Sequence, residues 1–139
     1  MNWYGIDLSI ASPVIVSLLP LRVVEEAVGG ARPYVIVSLL FRPEGEICGL
    51  PKGRLCFVTF TRPAPPQSSK AAELECFASR YVRLIDESKE PDLIAAFDQS
   101  EWKKFGLFTT EIREEDLVLF MTKGSAENFL ADRARQALR

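Results

Sequence analysis

The hexapeptide VIVSLL occurs twice in the sequence, at residues 14–19 and, letter for letter, at residues 35–40. Each copy has five aliphatic residues and one serine and is closely preceded by a proline, Pro13 or Pro33. Unbroken apolar runs are typical of strands that are covered on both faces, because a half-exposed strand alternates apolar with polar residues. The sequence therefore predicts two buried strands. A duplication and a chance similarity of two core strands both explain the identity of the copies.

Three further segments of the first half have recognisable patterns. Residues 54–61 combine large apolar residues with threonines and predict a strand that forms a long-looped hairpin with 34–42. Residues 3–10 alternate, which predicts a strand with one buried face. Between the two VIVSLL copies, the spacing from Pro20 to Val28 favours a short helix that ends at Gly29-Gly30. Whether the two repeat strands are parallel or antiparallel stays open.

A proline-rich segment, RPAPPQSSK at residues 62–70, separates this strand-rich half from a more helical second half. Neither half buries enough surface to fold alone, so the sequence predicts one domain over residues 1–139. After the proline-rich segment, helical spacing predicts a helix over about 71–88. The residues that carry this spacing are Leu74, Phe77, Ala78, Tyr81, Leu84 and Ile85.

The remainder of the chain predicts shorter elements and a C-terminal helix. A short helix starts at Pro91, and a further turn, capped by Ser100, carries Trp102 and Phe105. Strands at 107–112 and 116–122 are joined by a charged turn at 113–115, and Ser125 caps a helix over 125–139. We therefore expect an α+β fold. Its sheet is mixed but mostly antiparallel, has about five or six strands, and is packed against two main helices, 71–88 and 125–139.

Composition limits the environment in which this chain works. The chain has 139 residues, 47% hydrophobic and 26% charged, which is typical of a folded domain. Its net charge of −2 gives no overall basic field for nucleic acid or anionic lipid, so neither is an expected partner. The longest uncharged stretch, residues 8–21, is too short for a membrane span and is interrupted by prolines. With three cysteines and no CxxC spacing, a cytoplasmic location is expected.

The chemistry of the side chains excludes several kinds of site. The chain has no histidine, which removes the Ser-His and Cys-His dyads and the commonest general base at neutral pH. No glycine-rich phosphate loop is present, and three cysteines do not complete a zinc site, so no cofactor or metal is expected. Cys48 lies in a loop with Lys52 and Arg54, which would lower a thiol pKa. An enzyme that uses carboxylates or Cys48 in a loop-lined cleft is therefore one alternative.

Two acidic clusters and one tryptophan are the candidate binding residues. The first cluster is Asp86, Glu87, Glu90 and Asp92, and the second is Glu111, Glu114, Glu115 and Asp116. On one face they would attract a basic partner protein such as a nuclease toxin, with Trp102 as an aromatic anchor, although charged runs often only solvate loops. The leading hypothesis is a non-enzymatic inhibitor, immunity protein or adaptor. A structural subunit that completes its sheet in an oligomer is the other alternative.

Overall fold

The computed structural model describes residues 2–63, 77–99, 101 and 109–138, and of residues 61–63, 77–83 and 109–116 it describes the backbone only. Within these ranges the chain forms six strands, two α-helices and one 3₁₀ helix. The strands are β1 (Trp3–Asp7), β2 (Ile15–Val28), β3 (Tyr34–Pro43), β4 (Cys56–Pro63), β5 (Phe77–Ile85) and β6 (Thr109–Phe120). The α-helices are α1 (Glu90–Asp98) and α2 (Lys123–Ala137), and the 3₁₀ helix, Glu87–Lys89, directly precedes α1.

The six strands form a closed antiparallel barrel in which each strand pairs with the next along the chain. Pairing of β6 with β1, at Phe120 opposite Tyr4, completes the closure. The expected α+β class and the hairpin between residues 34–42 and 54–61 are confirmed, and the two repeat strands are antiparallel neighbours. The helices pack on the outside of the barrel, so the protein has an interior core and two exterior ones.

Alternate residues of the strands fill the barrel interior. In both VIVSLL copies the third and fifth residues point inward: Val16 and Leu18 from β2, and Val37 and Leu39 from β3. The last residue distinguishes the copies, because Leu40 is fully buried under α1 whereas Leu19 is 45% exposed. The predicted burial of both faces is therefore confirmed for the second copy only, since α1 covers β3 but not the start of β2.

Each helix covers a different part of the barrel exterior. Pro91 and two acidic residues occupy the first turn of α1, which suits a helix N-terminus. The α1 core consists of Leu40, Leu55, Phe57, Ile85, Leu93 and Phe97. The side chain of Thr122, rather than the predicted Ser125, caps α2 by accepting a hydrogen bond from the Ser125 backbone N–H at 3.2 Å. The α2 core consists of Ile6, Val118, Phe120 and Ala126, with Phe129 and Leu130 packed against it.

The predicted helix over residues 71–88 is wrong, because residues 77–85 form β5; residues 71–76 lie outside the described chain. Near its end β5 is covered on both sides: Leu84 packs against the interior core and Ile85 lies beneath α1. Two consecutive apolar residues at the end of a strand break the alternation and, together with Phe77 and Tyr81, imitate helical spacing. Pairing with β4 and β6 determines the conformation instead.

The predicted helix over residues 20–28 is also wrong, because β2 continues to Val28 and pairs with β3. Its register shifts between Pro20 and Arg22, which makes a bulge, and proline is tolerated at bulges. Leu21 and Val24, whose spacing resembled that of a helix, pack against the α1 core.

The predicted turn at residues 113–115 does not exist, since β6 is continuous from Thr109 to Phe120. Ser79 of β5 pairs with Leu117 and Tyr81 pairs with Arg113, so residues 114–116 lie opposite the single residue Arg80. The charged run is thus accommodated as a bulge within one strand rather than as a turn between two.

The loop between β3 and β4 closes one region of the barrel with its own side chains. Ile47 and Leu50 are 3% and 0% exposed and belong to the interior core. Their backbones exchange two hydrogen bonds around Cys48 and Gly49, both of which have positive φ. Positive φ at both central residues defines a tight type I′ turn. The inserted Ile47 lies so close to Gly5 that a Cβ on Gly5 would be 2.8 Å from Ile47 Cδ1.

This contact predicts a compensating pair of substitutions. Gly5→Ala should lower the free energy of unfolding by about 2 kcal/mol through overpacking, and Ile47→Val by about 1 kcal/mol through a lost methyl group. Because valine lacks the Cδ1 atom that the new methyl would strike, the double variant should be more stable than the sum of the two losses, by about 1 kcal/mol. Urea unfolding of the four proteins measures this coupling. Strict additivity would contradict the insertion of Ile47 beside Gly5.

Candidate protein-binding surface

The first acidic cluster is described in full and begins at the 3₁₀ helix. Asp86 caps that helix, because its Oδ1 accepts hydrogen bonds from the Ser88 backbone N–H at 3.0 Å and from Ser88 Oγ at 2.8 Å. These bonds hold the pKa of Asp86 below its ordinary value. Asp92 is exposed in the first turn of α1. Asp86 and Asp92 therefore keep their carboxylates at the surface.

Arginines from β3 and from the β3–β4 connection lie close to two other carboxylates in the same region. Glu90 pairs with Arg42, and both side chains are about three-quarters buried. Glu87 Oε1 lies 3.7 Å from Arg54 Nε. Glu90 is thus committed to a contact within the protein, whereas the Glu87 side chain is 67% exposed and its ion pair with Arg54 is a surface contact.

A third pair lies at the far end of α1. Asp98 accepts hydrogen bonds from Arg22 Nε at 2.5 Å and from Arg22 Nη2 at 3.2 Å. The hydrogen bonds from Arg22 hold the pKa of Asp98 below its ordinary value. Because both side chains are largely exposed, this pair orients α1 more than it stabilises the fold.

The second acidic cluster lies on β6, and its members lie at different distances from the first cluster. Ile85 pairs with Thr109, and Arg83 pairs with Glu111, so Glu111 is near the end of the β5–β6 ribbon from which Asp86 follows. The bulge with Glu114, Glu115 and Asp116 lies opposite Arg80, roughly 17 Å along the strand from Ile85. The structure brings Glu111 toward the first cluster and leaves the other three farther away. Trp102 lies outside the described residues, so its role as an anchor stays a prediction.

Cys48, the basis of the enzyme alternative, lies beside a buried carboxylate. Its backbone N–H donates to Asp7 Oδ2 at 3.1 Å. Asp7 is 7% exposed, and its Oδ1 accepts from the Ser9 backbone N–H at 2.8 Å and from Ser9 Oγ at 2.5 Å. Burial alone would raise the pKa of Asp7, but the hydrogen bonds from Ser9 and Cys48 outweigh it and hold the pKa below its ordinary value. The Asp7 carboxylate is therefore ionised and holds the turn at Cys48 in place.

Arg54, which the sequence places in the same loop as Cys48, lies close to the thiol of Cys56. Cys56 Sγ is 3.4 Å from the carbonyl oxygen of Arg54, and the sulfur is fully buried. Burial raises the pKa of Cys56 to about 12, although the charges of Arg54 and Arg42 oppose the shift. Cys56 is therefore a protonated core residue.

An open groove with a mostly apolar lining lies between the β1–β2 connection and α2. Its volume is about 340 Å³. One wall is formed by Ile10, Ala11 and Pro13, and the other by Leu130, Arg133, Ala134 and Ala137. The sequence predicted that the helix over residues 125–139 packs on the sheet. Only the first half of α2 docks, since residues 131–138 are all exposed.

Exposed apolar side chains extend this surface beyond the groove. Ile10 and Val14 are 45% and 56% exposed, and Leu138, at the end of α2, is 88% exposed. The signal in the sequence was the length of the apolar stripe, because Leu130, Ala134 and Ala137 repeat at helical spacing past the part of α2 that the barrel reaches. An apolar stripe that extends past the part of α2 packed on the barrel indicates a second contact surface.

Comparison of the chain with family models, curated proteins and solved structures finds no match. None of the helices in the described part of the chain is both long enough and apolar enough to cross a lipid bilayer. Over the same residues, no three side chains of histidine, cysteine, aspartate or glutamate are grouped so as to hold a metal ion. The arguments on function therefore rest on the surface itself.

Proposed function

We propose that the chain is a non-enzymatic protein-binding module, an inhibitor, immunity protein or adaptor that binds a segment of its partner in the α2 groove. The observation that carries this proposal is the open apolar groove together with the exposed Ile10 and Val14 beside it. Contiguous exposed apolar surface marks interaction sites in soluble proteins. Because the apolar surface continues outside the groove, a macromolecular partner fits it better than a small ligand.

An acidic docking surface around α1 has weaker support. Arg42 holds Glu90, whereas Asp86, Glu87 and Asp92 keep exposed carboxylates. A basic partner such as a nuclease toxin stays a proposal that rests on these three residues and on the β6 cluster. Charge pairs at an interface rim act mainly on association rate, so this surface would assist binding rather than dominate it.

The oligomer alternative also has one observation in its favour. Pairing of β1 with β2 ends at Leu18, and among the described residues no strand pairs with residues 20–24 on the side away from β3. Val23, on this edge, is 41% exposed. An unpaired edge accepts a strand from another chain. Light scattering at high concentration tests this alternative, and a monomer would remove it.

Affinity capture with matched groove variants tests the leading proposal. Tagged wild-type protein, Ala134→Gln and Ala131→Gln are used to isolate partners from cells of the source organism at low and high salt. Ala134 lines the groove, whereas Ala131 is exposed on the same helix and does not. A polar side chain in an apolar contact should lower recovery of a stoichiometric partner about tenfold for Ala134→Gln, a loss of about 1.4 kcal/mol.

The Ala131→Gln variant should recover the partner as the wild type does, because it adds the same amide to the same helix. Equal recovery by both variants would contradict the groove as the binding site. Recovery of the protein alone in every sample would contradict the proposal that it binds another protein.

A further inference from the structure

We propose that the α2 groove binds an amphipathic helix of the partner protein, and that a carboxylate on this helix pairs with Arg133. This inference rests on the proposed function and specifies the partner. It differs from the expectation of a basic partner, because the charge at this groove is positive.

The dimensions of the groove fit a short helix. Leu130, Ala134 and Ala137 form one stripe along α2, and seven residues of helix span about 10 Å. Two apolar side chains one helical turn apart, about 5 Å, fit within that length. Ala134 and Ala137 are small, so the backbone of a second helix can approach α2 closely.

The charge at the groove is the second observation. Arg133 lines the groove, and it forms no ion pair with any residue that the structure describes. Arg135, two positions later, is already paired with Asp132. A guanidinium beside an apolar surface favours a carboxylate, because its planar donors form charge-assisted hydrogen bonds with both carboxylate oxygens.

The walls of the groove favour a helix over an extended strand. Strand addition requires a row of unpaired backbone donors and acceptors. Here one wall is α2, whose backbone groups bond within the helix, and the other is a short connection that contains Pro13. Binding of a helix requires only apolar anchors at i and i+4 in a groove, which this surface offers.

Two synthetic helical peptides test the inference on the full chain. Both have the same alanine and leucine stripe and a length of about 15 residues, which is enough for helix formation. One has glutamates beside the stripe and the other has lysines. Titration into isotope-labelled protein, followed by NMR, should shift the amide signals of Ala11, Ala134 and Ala137 with the acidic peptide. The basic peptide should bind at least about tenfold more weakly.

Arg133→Glu should reverse this preference, and Arg135→Glu, which does not change a groove residue, should keep it. Equal binding of both peptides, or shifts that lie away from the groove, would overturn the inference. Failure of this inference is distinguishable from failure of the proposed function. A captured partner that is lost with Ala134→Gln but retained with Arg133→Glu would support protein binding in the groove and contradict the pairing of Arg133 with a carboxylate of the partner. Absence of both peptide binding and a captured partner would remove both proposals.

Discussion

Phe97→Ala should lower the free energy of unfolding by about 3 to 5 kcal/mol, the usual loss when a buried phenylalanine is truncated. Phe97 is 4% exposed and is a central side chain of the α1 core. Its ring meets that of Phe57 edge to face, with ring centroids 5.8 Å apart. Because α1 has only nine residues, it depends on this packing for its stability. Urea unfolding monitored by circular dichroism measures the loss.

Ala95→Ser is the matched control, since Ala95 is exposed on the same helix. Serine has a slightly lower helix propensity, so the expected loss is about 0.5 kcal/mol. A loss for Phe97→Ala that is as small as that of the control would contradict the docking of α1 on the barrel. Loss of α1 would also separate Glu90 from Arg42. Binding of a basic partner to the acidic residues around α1 should therefore change in this variant.

The strand at residues 34–42 was identified correctly because its cover changes little along its length. Residues 34–42 are apolar because the barrel interior covers one face of β3 and α1 covers much of the other. Residues 77–85 were misread because Leu84 and Ile85, at the end of β5, are consecutive apolar residues that pack on opposite sides of the sheet, and such a pair breaks the alternation. Periodicity reports which faces are buried, and it indicates secondary structure only where burial is constant.

The acidic clusters show a second limit of prediction. Acidic residues are visible in the sequence, but their partners are not. Arg22 reaches Asp98 across 76 positions, and Arg42 reaches Glu90 across 48. Such pairs exist only because β2 and β3 pass beneath α1. Sequence reasoning could therefore locate charge at residues 86–92 but not its neutralisation.

The groove was missed for a related reason. The helix over residues 125–139 was predicted to pack on the sheet, and its first half does so, with Phe129 packed against Phe120 at a ring-centroid distance of 5.3 Å. Where docking ends depends on how far the barrel extends beneath the helix. That extent follows from the lengths of β1 and β6. The helix itself was therefore predicted correctly, but the barrel covers only its first half.

Asp7→Ala should lower the free energy of unfolding by about 3 kcal/mol at neutral pH. The substitution removes a carboxylate that accepts three hydrogen bonds, and it leaves the backbone N–H groups of Ser9 and Cys48 without that acceptor. Hydrogen bonds to a charged group contribute about 1.5 to 3 kcal/mol, and a buried donor without a partner adds to the loss. Ser9→Ala is the control; it keeps the carboxylate and should lose about 1 kcal/mol.

The lowered pKa of Asp7 also predicts how the free energy of unfolding depends on pH. The pKa of Asp7 in the folded protein lies below the ordinary value of 3.8, so the unfolded chain binds the proton more readily. The contribution of Asp7 is therefore complete well above pH 3.8 and is lost as the pH falls through the folded pKa. Unfolding of the wild type and of Asp7→Ala, measured from neutral to acidic pH, should show a stability difference that shrinks toward low pH. A difference that stays constant would mean that the carboxylate does not hold the turn at Cys48 through its charge.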